Sequence, residues 1–136
     1  MKKHGTINQL SGNFKMKIQR MYIEGAPASA PFLKKMEVML ADSFLTRLAG
    51  LMFRHRLPPA TGLLLVPCNS VHMCFMRFAI DVVYIDKEYS IIKVVKNLKP
   101  WLGISMCSRA WATLEMTAGE AERCGCEAGK KLTLVM

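Results

Sequence analysis

Phe78-Ala79-Ile80-Asp81-Val82-Val83-Tyr84-Ile85 is followed by Asp86-Lys87-Glu88-Tyr89 and then by Ser90-Ile91-Ile92-Lys93-Val94-Val95. Two runs rich in β-branched and aromatic residues flank a short polar stretch. That pattern reads as a hairpin: a strand over Ile80–Ile85, a turn at Asp86–Tyr89, and a returning strand over Ile91–Val95. The first run is apolar at almost every position. Asp81 interrupts it. A carboxylate in such a run must be paired or hydrogen-bonded.

Strand-like runs continue on both sides. Upstream lie Met36–Ala41, Leu63–Val66 and Val71–Phe75, and downstream lie Trp111–Met116 and Leu132–Val135. Thr61-Gly62 and Pro58-Pro59 read as breakers, and Asn97–Ser108 reads as irregular around Pro100, Trp101 and Gly103. Phe44, Leu45, Leu48 and Leu51 recur at helical spacing, and Asp42 or Ser43 can cap a short helix over Ser43–Ala49. Gly119–Arg123 suits one helical turn. About seven short strands with so little helix predict a mainly β fold, a compact antiparallel barrel or sandwich with one short helix packed on it.

Residues 36–136 are expected to form a single β domain. Residues 1–35 read as a basic N-terminal extension ending in the linker Gly25-Ala26-Pro27-Ala28-Ser29-Ala30-Pro31, with one possible strand at Met16–Glu24. At 136 residues the chain fits one domain, and 51% apolar with 21% charged residues excludes a mostly disordered polymer. No apolar run is long enough to span a bilayer, and no export signal is evident, so a cytoplasmic location is expected.

The net charge of +9 is uneven: residues 1–40 hold seven basic and two acidic residues, hence +5. Such a balance favours nucleic acid or anionic membrane as partners. The basic residues are scattered, and no aromatics interleave with them as a base-stacking platform requires. A solvated arm therefore accounts for them better than nucleic acid. Five cysteines, an odd number without an export signal, read as free thiols.

The densest polar stretch is Cys68-Asn69-Ser70-Val71-His72-Met73-Cys74-Phe75-Met76-Arg77. In an extended strand Cys68, Ser70, His72, Cys74 and Met76 share a face. Thiol, imidazole and thioether together are the donor set of a soft metal. A thiol beside an imidazole is also a potential nucleophile. Against zinc, only one imidazole is present where structural sites use four clustered ligands. Against catalysis, no oxyanion-hole glycine follows Cys68 or Cys74, and no acid is spaced to orient His72. Free Cys and Met are equally at home in a packed strand. Cys124-Gly125-Cys126 is a weak chelate or redox motif, with Cys126 expected in the core.

Glu115, in Thr113-Leu114-Glu115-Met116, is a second acid in an apolar strand. Arg47 is its expected partner, and Arg77, His72 or Arg47 that of Asp81, since a guanidinium bridges carboxylates bidentately. The functional expectation is a non-enzymatic domain that binds a small molecule or a protein in a polar pocket lined by Arg47, His72, Met76, Asp81, Glu115 and Trp101. The alternative is soft-metal binding or thiol chemistry by Cys68 and Cys74 with His72. No cofactor is called for.

Several blocks together resemble one family. Arg47-Leu48-Ala49-Gly50-Leu51-Met52 matches an R-x-x-G-L-M signature, Gly62-Leu63-Leu64-Leu65 the next element, and Cys68 through Asp81 a C-x-S-V-H-x-x-x-M-R-F-x-I-D block. Leu98-Lys99-Pro100-Trp101 and Leu114-Glu115-Met116-Thr117-Ala118-Gly119 extend the likeness, which spans about residues 38–135. The chain thus resembles the domain-of-unknown-function family numbered 192, in a subgroup with His at position 72. The resemblance implies a small β fold with a short helix and implies no activity. Members usually carry Gly near the Asp86 turn, where this chain has Glu88-Tyr89, and close with Gly-Asp, where it has Gly129-Lys130.

Overall fold

The computed structural model describes residues 17–24, 36–42, 51 and 57–134. Its strands are β1 (Lys17–Ile23), β2 (Met36–Ala41), β3 (Thr61–Leu65), β4 (Ser70–His72), β5 (Ile80–Ile85), β6 (Ile91–Leu98), β7 (Ile104–Met106), β8 (Ala112–Thr117) and β9 (Leu132–Leu134). One helical turn, α1, spans Glu120–Arg123. The helix expected over Ser43–Ala49 lies outside the described residues.

Seven strands form one sheet in the order β6-β5-β8-β3-β2-β1-β9, and β4 pairs with β7 in a separate two-stranded ribbon. Every pairing is antiparallel except β2 with β3. The outermost strands of the large sheet meet at one end. There Ile91 N–H donates to the Lys130 carbonyl at 2.8 Å, and Leu132 N–H to the Tyr89 carbonyl at 2.9 Å. The sheet therefore curls into a half-barrel. The mainly β, mostly antiparallel architecture expected from the sequence is what the structure shows.

Both faces of the sheet are covered, which explains why β5 and β3 lack polar alternation. One face packs Met21, Met36, Val38, Val83, Leu114 and Met116 with Ala121, Cys124 and Cys126 around α1. The other packs Leu63, Leu65, Val82 and Tyr84 beneath the β4–β7 ribbon and its turns, through Val71, Met73 and Met76.

Three local readings are corrected. Gly62 does not break a strand but lies within β3, where a Cβ would come 2.6 Å from Leu114 Cδ1. The strand expected over Val71–Phe75 ends at His72, because Met76 N–H closes a turn onto the Met73 carbonyl at 3.1 Å and Phe75 takes φ 63°. The segment read as irregular contains β7, whose apolar Ile104 and Met106 face solvent while Ser105 faces in.

The hairpin turn is built by Asp86. Its Oδ1 accepts from Glu88 N–H and Ser90 N–H, both at 2.9 Å. Tyr89 then adopts φ 63°, in the left-handed region that glycine takes readily. Its ring meets Trp111 edge-on at 5.7 Å, a packing contact that holds a non-glycine residue there.

Candidate functional site

Asp81 and Glu115 lie on neighbouring strands but on opposite faces of the sheet. The β5–β8 register sets Asp81 across from Met116 and Val82 across from Glu115. Residues directly opposite share a face, and successive residues alternate. Asp81 thus points to the side that carries α1, and Glu115 to the side covered by the ribbon.

The Asp81 carboxylate accepts three backbone N–H bonds. Oδ1 accepts from Asn97 N–H at 2.9 Å, and Oδ2 from Gly119 N–H at 2.8 Å and Ala121 N–H at 3.0 Å. Gly119, the residue preceding α1, has no side chain to cap with. A strand carboxylate supplies the cap instead, and satisfies two of the first free amides of the helix. This is a structural role, with Oδ2 given to the cap and Oδ1 to the β6 backbone.

Glu115 is 6% exposed and is flanked in register by the aliphatic Leu63 and Val82. Among the described residues its carboxyl group has no hydrogen-bond or ion-pair partner. Burial pushes its carboxyl up to about 7. Nearby, Tyr84 Oη and Ser105 Oγ hydrogen-bond at 2.9 Å, and burial raises the phenol above its ordinary range.

The remaining sequence candidates disperse. His72 is exposed on the outward side of β4, Met76 is buried in the core, and Trp101 is exposed. Arg47 lies outside the described residues. The five described members of the expected pocket therefore do not converge on one cleft, because strand alternation and the turn at Met73–Met76 send them in different directions. The same turn breaks the shared face of Cys68, Ser70, His72, Cys74 and Met76. Cys68 Sγ donates to the Ser70 carbonyl at 3.2 Å, and Cys74 is exposed. Among the described residues no three of His, Cys, Asp and Glu are placed to hold a metal ion, and no cysteine hydrogen-bonds to His72.

A different site is open. A groove of about 600 Å³ runs between the approach to β4, the β5–β6 turn and the approach to β8. Cys68 and Asn69 line one wall, Asp86, Lys87 and Glu88 another, and Arg109 and Trp111 the third. Backbone bonds brace the walls: Cys68 N–H to the Trp111 carbonyl at 3.0 Å, and Trp111 N–H to the Ile85 carbonyl at 2.9 Å. Thr113 Oγ1 donates to the Cys68 carbonyl at 2.8 Å and anchors the floor to β8. Of the described sequence candidates, Cys68 is the one that lines this groove. The signal missed was the meeting of three turns distant in sequence, each unremarkable alone.

Comparison with known proteins agrees with the fold. UPF0127 protein PH1112 of Pyrococcus horikoshii is 34% identical over 101 residues, covering 71% of this chain and 85% of the relative. UPF0127 protein PF1050 of Pyrococcus furiosus is 38% identical over 72 residues, 49% of this chain and 60% of the relative. A crystal structure of a protein of unknown function from Novosphingobium aromaticivorans superposes with TM-score 0.74 at 20% identity, covering 88% of this chain and 86% of that one. A candidate transcription regulator of Sinorhizobium meliloti superposes with TM-score 0.78 at 22% identity, over 90% and 98%. At these identities the two structures speak for the fold alone. The profile of the DUF192 family, described as an uncharacterized ACR, matches residues 27–134, and the chain belongs to that family.

Proposed function

We propose that the protein is a non-enzymatic binding domain whose site is the groove between the three turns. The observation that supports this most is the groove's lining: the acidic Asp86 and Glu88, the basic Lys87 and Arg109, and Trp111 around about 600 Å³. Few polar groups of both signs beside an aromatic wall, in a volume of that order, suit a small molecule. Both charge signs within one site favour a zwitterion. A ligand carboxylate would meet the Arg109 guanidinium, a ligand ammonium the Asp86 and Glu88 carboxylates, and an apolar side chain Trp111. Of the two embedded acids expected to line a pocket, Asp81 caps α1.

Zwitterionic dipeptides are the probe. In a Trp101→Phe background, Trp111 is the sole indole. Titration should give a saturable change in its fluorescence, lost in Arg109→Glu. A panel of dipeptides that produces no saturable response at millimolar concentration, or a response unchanged in Arg109→Glu, overturns the proposal.

A further inference from the structure

The outward side of the β4–β7 ribbon is apolar where a small domain normally presents polar residues. In the pairs Ser70–Met106 and His72–Ile104 the side chains turn to solvent while Val71 and Ser105 turn in. Ile104 is 77% exposed, Met106 65% and Leu102 91%. Phe75 and Trp101 stand beside them, ring against ring at 5.2 Å in a T-shaped contact. Both aromatics sit on backbone of positive φ, 63° and 66°, a conformation that non-glycine residues rarely adopt. Trp101 is held there by its own N–H, which donates to the Met73 carbonyl at 2.7 Å. The fold thus spends unusual backbone geometry on keeping two large rings at the surface. Scattered exposed apolar residues are ordinary, but a contiguous set marks an interaction surface.

Charge narrows the partner. The segments that build this face, residues 66–80 and 97–111, contain no Asp or Glu, and neither does β6 beside them. Arg77, Lys93 and Lys99 are exposed around it, and Lys93 Nζ reaches the Met106 carbonyl at 3.3 Å. The chain as a whole carries +9. Two copies meeting through this face would bring cations against cations. The groove adjoins the Ser70–Met106 end of the ribbon and shares none of these side chains. What remains is a protruding tip led by Trp101 and Leu102. Such a tip suits a soft, laterally fluid surface better than a partner that needs complementary pockets. Tryptophan with aliphatic neighbours and a rim of Lys and Arg is the chemistry of the lipid headgroup layer. The rings and alkyl chains enter that layer, and the cations meet anionic phosphates.

We infer that the β4–β7 ribbon docks this protein on anionic lipid bilayers, with Trp101, Leu102, Ile104 and Met106 entering the headgroup layer and Arg77, Lys93 and Lys99 contacting lipid phosphates. The inference is independent of the groove and its ligand.

Cosedimentation of the full chain with vesicles tests it. Vesicles of phosphatidylcholine with 30% phosphatidylglycerol (about 30 mol %) should retain the protein, vesicles of phosphatidylcholine alone should not, and added salt should weaken retention. Tryptophan emission should shift to the blue on binding. Leu102→Glu, at a side chain that contributes almost nothing to the core, should lower partitioning at least about tenfold. Trp101→Asn, which suits the positive φ, should lower it comparably while the melting temperature stays unchanged. Absence of retention on the anionic vesicles overturns the inference. So does retention undiminished in both variants, which would assign binding to the basic N-terminal residues. Retention on immobilised polyglutamate with none on vesicles overturns it in favour of an acidic protein.

Discussion

Asp81 and Glu115 face the same physical problem, a carboxyl group inside an apolar sheet, and meet it in opposite ways. Asp81 stays satisfied through three backbone amides, those of Asn97, Gly119 and Ala121. Asparagine offers one acceptor oxygen and turns its NH2 towards an amide donor. Asp81→Asn should therefore cost about 1–3 kcal/mol, read from the urea midpoint. Glu115 instead has its proton affinity raised, from 4.5 to about 7, by burial. A raised carboxyl pKa means that the folded state binds the proton more tightly than the unfolded state. The stability from this group is whole below pH 4.5 and is lost as pH rises through about 7. At 1.36 kcal/mol per unit, the loss is roughly 3 kcal/mol by pH 8. Glu115→Gln should match the parent near pH 4.5 and exceed it by that order at pH 8, measured by denaturant unfolding at both. A Gln variant less stable than the parent at pH 8 would instead reveal a cationic partner, the role expected of Arg47. That both acids need compensation was legible from their apolar neighbours. Their opposite faces were not, because facing depends on a β5–β8 register between residues 27 or more positions apart, Ile85 and Ala112 being the nearest pair.

Among the elements, the β5–β6 hairpin was the most legible, since its turn chemistry and β-branched runs are local. The ribbon was the least. β7 hides in a stretch with Pro100 and Gly103, and its apolar residues face out, so a reading that assigns apolar to inside finds no strand there. Gly103 shows how tightly its loop closes. A Cβ at that position would lie 2.6 Å from the Lys99 carbonyl oxygen and 2.8 Å from Met73 Cγ. The Gly103 carbonyl also accepts Met73 N–H at 2.9 Å, which ties the turn before β5 to β7. Gly103→Ala should open this junction at a cost of about 1–3 kcal/mol, the usual penalty for overpacking. Hydrogen exchange at the Met73 amide should accelerate in that variant. An unchanged melting temperature with unchanged exchange would mean that the loop has room to shift.

At the scale of the whole molecule, two cores on the two faces of one curled sheet sort the five cysteines by depth. Cys74 is exposed, Cys68 and Cys107 are half-buried, and Cys124 and Cys126 are buried beside α1. Desolvation, then Cys124 and Asp81, push the Cys126 thiol up to about 12. Since the thiolate is the reacting form, Cys126 should be inert at neutral pH. Native-state alkylation followed by mass spectrometry should label Cys74 first and Cys124 and Cys126 only on unfolding. Early labelling of the buried pair would contradict the packing around α1. The class of fold was legible from strand content alone, whereas the groove was not, because it exists only where three separated turns meet. The groove is the proposed ligand site, and Asp81 belongs to the fold as the cap of α1. The most direct measurement is a backbone amide NMR titration with zwitterionic dipeptides. Saturable shifts confined to residues 68–69, 86–88 and 109–111 are expected. Shifts centred on Asp81, Gly119 and Glu115 with the groove silent would contradict it.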